Sequence, residues 1–290
     1  MNDVENLIKR AHTLLDRLEC LLPASPSLPD MATATAFRWR VRGQSRQLIK
    51  VTATATIRLS DLQCIDRQKQ AIVRNTQQFL QGLPANHALL WGPRGTGKSS
   101  LIKALLNEYR DAGLKMIEVD KNHMVDLPDI IDLLHDQPGR YIVYCDDLSF
   151  ESNDPGYKAI KVVIDGSISQ TPDNLLIYAT SNRRHLVPEY MQENLQSEML
   201  EGELHLSESI EEKISLSERF GMWLAFHSFN QEAYLQIVDY WMSKMNKAAL
   251  HNREEMHKAA LKWALEHGSR SGRSAWQFTR DWTGRHGLTN

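Results

Sequence analysis

The sequence predicts a three-layer α/β domain on a parallel sheet, followed by a small all-helical unit and preceded by a helix-plus-strand extension. Three observations predict it. The short apolar runs His87–Trp91, Tyr141–Cys145 and Leu175–Thr180 have the composition of strands buried on both faces. Stretches with helical spacing of apolar residues, Asp66–Gln81 and Ser99–Ala112, alternate with such runs. After Asn230 the strand signals stop and only helical periodicity continues.

Taken in chain order, Leu7, Ile8, Ala11, Leu14, Leu15, Leu18 and Leu22 form one apolar face of a helix within Met1–Leu22, and Pro23, Pro26 and Pro29 end it. Phe37–Arg42 alternates apolar and basic residues as a half-buried strand does. Its arginines 38, 40 and 42, with Arg46, read as a solvated face, and a nucleic-acid-facing edge is the alternative. Gly113 stops the Ser99–Ala112 helix, Met116–Val119 is a strand, and Asp126 with Pro128 opens the next helix. Asp154-Pro155 opens another, ending near Gly166, and Met222–Phe226 is the last strand. Helices are expected over Glu232–Met245, Arg253–Glu266 and from Ser271 onward, where Trp263, Trp276 and Trp282 have spacings that suit core packing. The expected division is 1–60 extension, 61–229 α/β domain and 230–290 helical lid.

Composition excludes several classes. The 290 residues are 42% hydrophobic and 24% charged, which is globular rather than disordered. Lys plus Arg number 34 against 36 Asp plus Glu, so a globally basic nucleic-acid coat is excluded. Three scattered cysteines make neither a disulfide framework nor a thiolate metal site. No apolar run reaches the roughly 20 residues of a membrane span, and no signal-peptide core opens the chain. A cytoplasmic protein without a membrane partner is expected.

The strongest chemical signal is Gly92-Pro93-Arg94-Gly95-Thr96-Gly97-Lys98-Ser99, a complete G-x-x-x-x-G-K-[ST] phosphate loop between an apolar strand and a helix. Glycines let the turn close with its N–H groups facing an anion, and the helix adds the positive end of its dipole. Lys98 is placed to reach the β- and γ-phosphates of a nucleotide, and the Ser99 hydroxyl to hold Mg²⁺. Tyr141–Cys145 then ends in Asp146-Asp147. Two adjacent carboxylates at a strand's C-terminal end repel one another, and a fold keeps them there for a cation or a water. Asp146 is assigned to Mg²⁺ and Asp147 to the attacking water, with Glu151 as the substitute for Asp147. No Asn-Lys-x-Asp or Leu-Ser-Gly-Gly-Gln follows, which removes guanine-specific and transporter-type readings.

Thr180-Ser181-Asn182, Ser217-Glu218-Arg219-Phe220-Gly221 and Ser271-Gly272-Arg273 resemble the sensor 1, arginine-finger and sensor 2 segments of AAA+ ATPases. Together with Gly95–Ser100, Cys-Asp-Asp-Leu-Ser-Phe-Glu (145 to 151) and Thr-Ser-Asn-Arg-Arg-His (180 to 185), they resemble the bacterial AAA+ family known as domain of unknown function 815. The similarity runs from about Phe37 to the C-terminus.

That resemblance implies a P-loop ATPase core with a helical lid, with ATP and Mg²⁺ as ligands. It implies that Asn182 holds the attacking water or γ-phosphate, that Arg219 reaches a neighbouring subunit's γ-phosphate, and that Arg273, or its neighbour Arg270, contacts phosphates from the lid. It also sets Leu62–Gln68, with Ile65, beside adenine and Ser100 in the nucleotide loop. AAA+ proteins usually carry Glu where Asp147 stands. A shared site implies a homo-oligomeric ring or spiral, most often of six subunits. The expected output is ATP-driven action on a protein client. Alternatives are a nucleotide-controlled loader or switch and a nucleic-acid-associated ATPase.

Overall fold

The computed structural model describes Arg10 and residues 29–43, 45–150, 154–165, 172–182, 199–200, 203–204, 219–245 and 253–288. The expected Met1–Leu22 helix, apart from Arg10, and Glu151 lie outside them.

One seven-stranded sheet organises the chain. Its strands are β1 (Ala36–Arg42), β2 (Ser45–Lys50), β3 (Ala88–Trp91), β4 (Leu114–Glu118), β5 (Arg140–Cys145), β6 (Leu175–Ser181) and β7 (Met222–Ala225), in spatial order β2-β1-β4-β5-β6-β3-β7. All neighbours are parallel except β1 and β2, an antiparallel hairpin running from Phe37 opposite Lys50 to Arg42 opposite Ser45. Helices α1 (Asp66–Leu80) and α2 (Lys98–Tyr109) cover one face, and α3 (Leu127–Leu134) and α4 (Pro155–Asp165) the other. The alternation of strand side chains builds both cores. In β5, Tyr141, Val143 and Cys145 enter the α3/α4 side, whereas Ile142 and Tyr144 enter the α1/α2 side. Helices α5 (Gln231–Met245), α6 (Arg253–Glu266) and α7 (Gly272–Leu288) share a third core around Tyr234, Met256 and Phe278.

Each expected element that falls in the described residues is present, and no element end moves by more than three residues. Two features differ from the expectation of a purely parallel sheet with a separate extension. Strand β2 carries no apolar run, because only Leu48 of its six residues is buried. Its partner β1 joins β4 through Ala36–Met116 and its neighbours, so the sheet continues into the segment read as an extension. Two of the four arginines of the basic row have carboxylate partners: Arg38 pairs with Glu118 at 2.6 Å, and Arg46 with the buried Asp126 at 3.0 Å, which also accepts a hydrogen bond from Trp39 Nε1. Among the described residues, no helix is long and apolar enough to cross a membrane.

At the entry to β3 the His87 ring meets β6, where Nδ1 accepts the Ile177 N–H at 3.0 Å. Burial drives the His87 pKa down from 6.5 to about 4. The unfolded chain therefore binds more protons than the folded one between those values. The stabilising contribution is complete above pH 6.5 and is lost as pH falls toward 4. The loss is on the order of 2 kcal/mol, discounted because the side chain keeps partial solvent contact. Melting temperatures between pH 7 and 4.5 are expected to fall more steeply in the wild type than in His87→Asn, which keeps an acceptor without the charge.

Candidate nucleotide site

The Gly92–Ser99 loop leaves the C-terminal end of β3 and enters α2, as its sequence requires. Gly92 has φ 137° and Gly95 has φ 76°; the first lies too close to the Phe226 backbone, and the second too close to the Ser271 side chain, for a Cβ. A Cβ on Gly92 would lie 2.1 Å from the Phe226 carbonyl, and one on Gly95 would lie 2.6 Å from the Ser271 Cβ. The second contact is part of a docking joint, because the Gly272 N–H donates to the Gly95 carbonyl at 2.8 Å. The start of α7 thus rests directly on the phosphate loop.

Lys98 is 5% exposed, and its ammonium donates to the Gly92 and Pro93 carbonyls at 2.6 and 2.7 Å and to Asn182 Oδ1 at 3.2 Å. Burial lowers its pKa, opposed by the charges of Asp146 and Asp147. Across the cleft, Asp146 Oδ1 accepts the Ser99 and Thr180 hydroxyls, each at 2.6 Å. Burial alone would raise the Asp146 pKa, but these donors outweigh it and hold the carboxyl below its usual range. Ser99 and Asp146 fit a hard divalent cation such as Mg²⁺, which takes one or two protein oxygens and keeps waters for the rest.

Asp147 adopts a left-handed backbone, φ 55°, with its N–H donating to Thr180 Oγ1 at 2.9 Å. Its carboxylate accepts from Asn182 Nδ2 at 2.5 Å and lies 3.5 Å from the Arg94 guanidinium. A continuous polar chain therefore runs Lys98–Asn182–Asp147–Arg94. Strand β6 makes it possible: inserted between β3 and β5, it delivers Thr180 and Asn182 between the phosphate loop and the acid pair.

These groups line one cleft of about 940 Å³. Of the residues expected at the site, Arg94, Gly95, Thr96, Gly97, Lys98, Ser99 and Ser100 line its phosphate end. Asp146, Asp147 and Asn182 line the facing wall, Ile65 the far end and Arg273 the lid side. Gly92 and Pro93 form the root of the loop. Between the two lid arginines, Arg273 borders the cleft and Arg270 does not. Arg219 lies off the cleft of its own chain and pairs with Asp165 of α4 at 2.6 Å.

Sequence reasoning missed the opposite wall. Ile237, Trp241, Lys244 and Trp276 come from the C-terminal helices, Phe229 from the loop before them, and they share the cleft with Ile57, Leu62 and Ile65. Trp276 is a correction. Its spacing reads as core, yet it is 37% exposed and packs on Trp241 with ring centroids 4.9 Å apart. Asp61, only 4% exposed, ties this wall to the α/β unit by accepting Tyr240 OH at 2.6 Å and the Lys244 ammonium. The adjacent aromatics Tyr240-Trp241 were the available signal, but helical periodicity alone does not say which face meets another unit.

A phosphate loop, an acid pair one strand removed and a helical unit docked on the loop define a P-loop nucleotide-binding domain of the AAA+ class. The chain belongs to the family described as "Protein of unknown function (DUF815)", whose model matches residues 32–286. Over 64 residues, 22% of this chain, it is 36% identical to the replication factor C large subunit of Staphylothermus marinus. The chain matches only 14% of that protein's length. Among solved structures it is similar to a RuvB variant of Thermotoga maritima, at 18% identity and TM-score 0.47, covering 77% of this chain and 64% of that one. It is also similar to the ORC1 protein of Aeropyrum pernix, solved in complex with DNA, at 15% identity and TM-score 0.49 over 74% and 58% of the two chains.

Gly95→Ala forces a left-handed alanine against Ser271. It is expected to cost about 2 kcal/mol of stability and to weaken nucleotide affinity at least tenfold, on the order of another 1.4 kcal/mol. Thermal unfolding with and without ATP checks both; unchanged values would show that α7 does not bear on the loop.

Proposed function

We propose that this protein is a Mg²⁺-dependent ATPase whose hydrolysis alters how the C-terminal helices sit on the α/β unit, and that this change is delivered to a protein client. The observation that carries the reading is the buried Lys98 ammonium in a cleft lined by the phosphate loop on one side and by Asp146 and Asp147 on the other. In this reading the loop and Lys98 bind the β- and γ-phosphates, with Lys98 exchanging two carbonyl partners for phosphate oxygens. Ser99 and Asp146 hold Mg²⁺, which when bound offsets charge on the phosphates. Asp147, oriented by Asn182 and Arg94, accepts a hydrogen bond from the attacking water and aligns it with the γ-phosphorus. Ile65 and Leu62, facing Trp241 across the cleft, take the adenine. The proposed units are residues 61–229, with β1 and β2 of the 1–60 extension added to their sheet, and residues 230–290.

The joint between Gly272 and Gly95 supports the coupling, because a phosphate entering the loop acts on the residue that seats α7. Arg273 adds a cation on the lid side. Arg219, directed away from its own cleft, is assigned to a neighbouring subunit's γ-phosphate, which makes the active form a ring or spiral of copies. A guanidinium so placed contributes about 10³ to 10⁵ in rate.

Calorimetric titration of the full chain with ATP and Mg²⁺, followed by phosphate release, tests the reading; no uptake of adenine nucleotide sinks it. Asp147→Asn is expected to bind ATP within about threefold of wild type while losing at least about 100-fold in turnover, the scale of a lost general base. Normal turnover in that variant, with loss in Glu151→Gln, moves the role to Glu151. Arg219→Ala is expected to keep ATP affinity and lose about 10³ in turnover, and a purely structural Arg219 would instead lower the melting temperature with turnover intact.

A further inference from the structure

Beneath the cleft floor, Tyr144 sits two residues before Asp146 on the same side of the sheet, the α1/α2 side. It is 1% exposed, and its hydroxyl oxygen is buried without a hydrogen-bond partner among the described residues. Other buried tyrosine hydroxyls are satisfied: Tyr178 meets Asn75 and Thr76, Tyr141 donates to the Pro138 carbonyl, and Tyr234 to the Ala260 carbonyl. An unmatched buried hydroxyl is costly, and phenylalanine would fill the same volume without it. The side chains that act most directly on the Tyr144 hydroxyl, though none meets it in hydrogen-bond geometry, are Asp146 and Ser99, the pair assigned to the cation.

The donor count at Asp146 explains the arrangement. Both of its close side-chain donors, Ser99 and Thr180, converge on one oxygen, Oδ1. A Ser99 hydroxyl that swings its hydrogen away from Asp146 as its oxygen takes a cation leaves that carboxylate one donor short. We propose that Tyr144 is a positioning residue for the divalent cation: its hydroxyl donates to the Asp146 carboxylate when Ser99 turns from Asp146 to the cation. The carboxylate then keeps two donors and one orientation in both situations. This rests on the nucleotide reading above and goes beyond it, since it assigns a residue outside the phosphate loop and the acid pair.

Tyr144→Phe separates the two. The full chain is melted with ADP as the probe, first in EDTA and then across a Mg²⁺ titration. In EDTA the variant is expected to melt at or above the wild-type temperature and to bind ADP as the wild type does. The Mg²⁺ concentration giving half-maximal stabilisation is expected to rise about tenfold, the scale of a hydrogen bond to a charged group. An unchanged Mg²⁺ midpoint overturns the inference alone, as does a lower melting temperature in EDTA, which would mean the hydroxyl is already paired without the cation. A wild-type chain that gains no stability from ADP and Mg²⁺ removes the nucleotide reading and the inference together. Should Tyr144→Phe not fold, a ring-fluorinated tyrosine at position 144 gives the readout: its fluorine resonance moves when Mg²⁺ is added to ADP-saturated protein, and a resonance that stays put overturns the inference.

Discussion

The buried Lys98 ammonium at the Gly92–Ser99 loop is the constraint on which the rest of the cleft depends. Lys98 is held by the Gly92 and Pro93 carbonyls and by Asn182, so its charge is desolvated yet paired with dipoles. An ammonium taken out of water is costly unless its donors are matched. Here they are matched by groups a phosphate can replace. The glycine positions follow from the same demand, because the loop is squeezed between Phe226 on one side and Ser271 on the other.

The strand order turns the loop into a site. With β6 between β3 and β5, the acid pair stands one strand away from the phosphate loop, and Thr180 and Asn182 fill the gap. Direct adjacency of β3 and β5 would remove the Thr180 and Asn182 side chains from between Lys98 and the acid pair. Thr180 serves both acids, donating to Asp146 and accepting from the Asp147 N–H, so the two carboxylates keep fixed and different directions despite their mutual repulsion.

The C-terminal helices contribute as a wall rather than as an appendage. They meet the α/β unit at polar joints that include Gly272 on Gly95, the Asp61–Tyr240–Lys244 cluster and the Cys64 thiol on Gln236. Burial raises the Asp61 carboxyl, but the donors of Lys244 and Tyr240 outweigh that and keep it ionised below its usual range.

The sequence alone determined the α/β class, the phosphate loop and the acid pair, since these rest on local patterns: apolar runs, glycine spacing and a carboxylate at a strand end. It also carried Asn182 and Arg273, whose places follow from motif order along the chain. Strand β2 escaped because an edge strand with one buried side chain has no apolar signature. Trp241 and Trp276 escaped because a helix's periodicity marks two faces without naming what each will touch. Tertiary structure alone decided which residues close the far wall, that Arg219 leaves its own cleft for Asp165, and that the Tyr144 hydroxyl is buried without a partner. Each depends on the juxtaposition of segments distant in the chain, and no spacing within one segment encodes that distance.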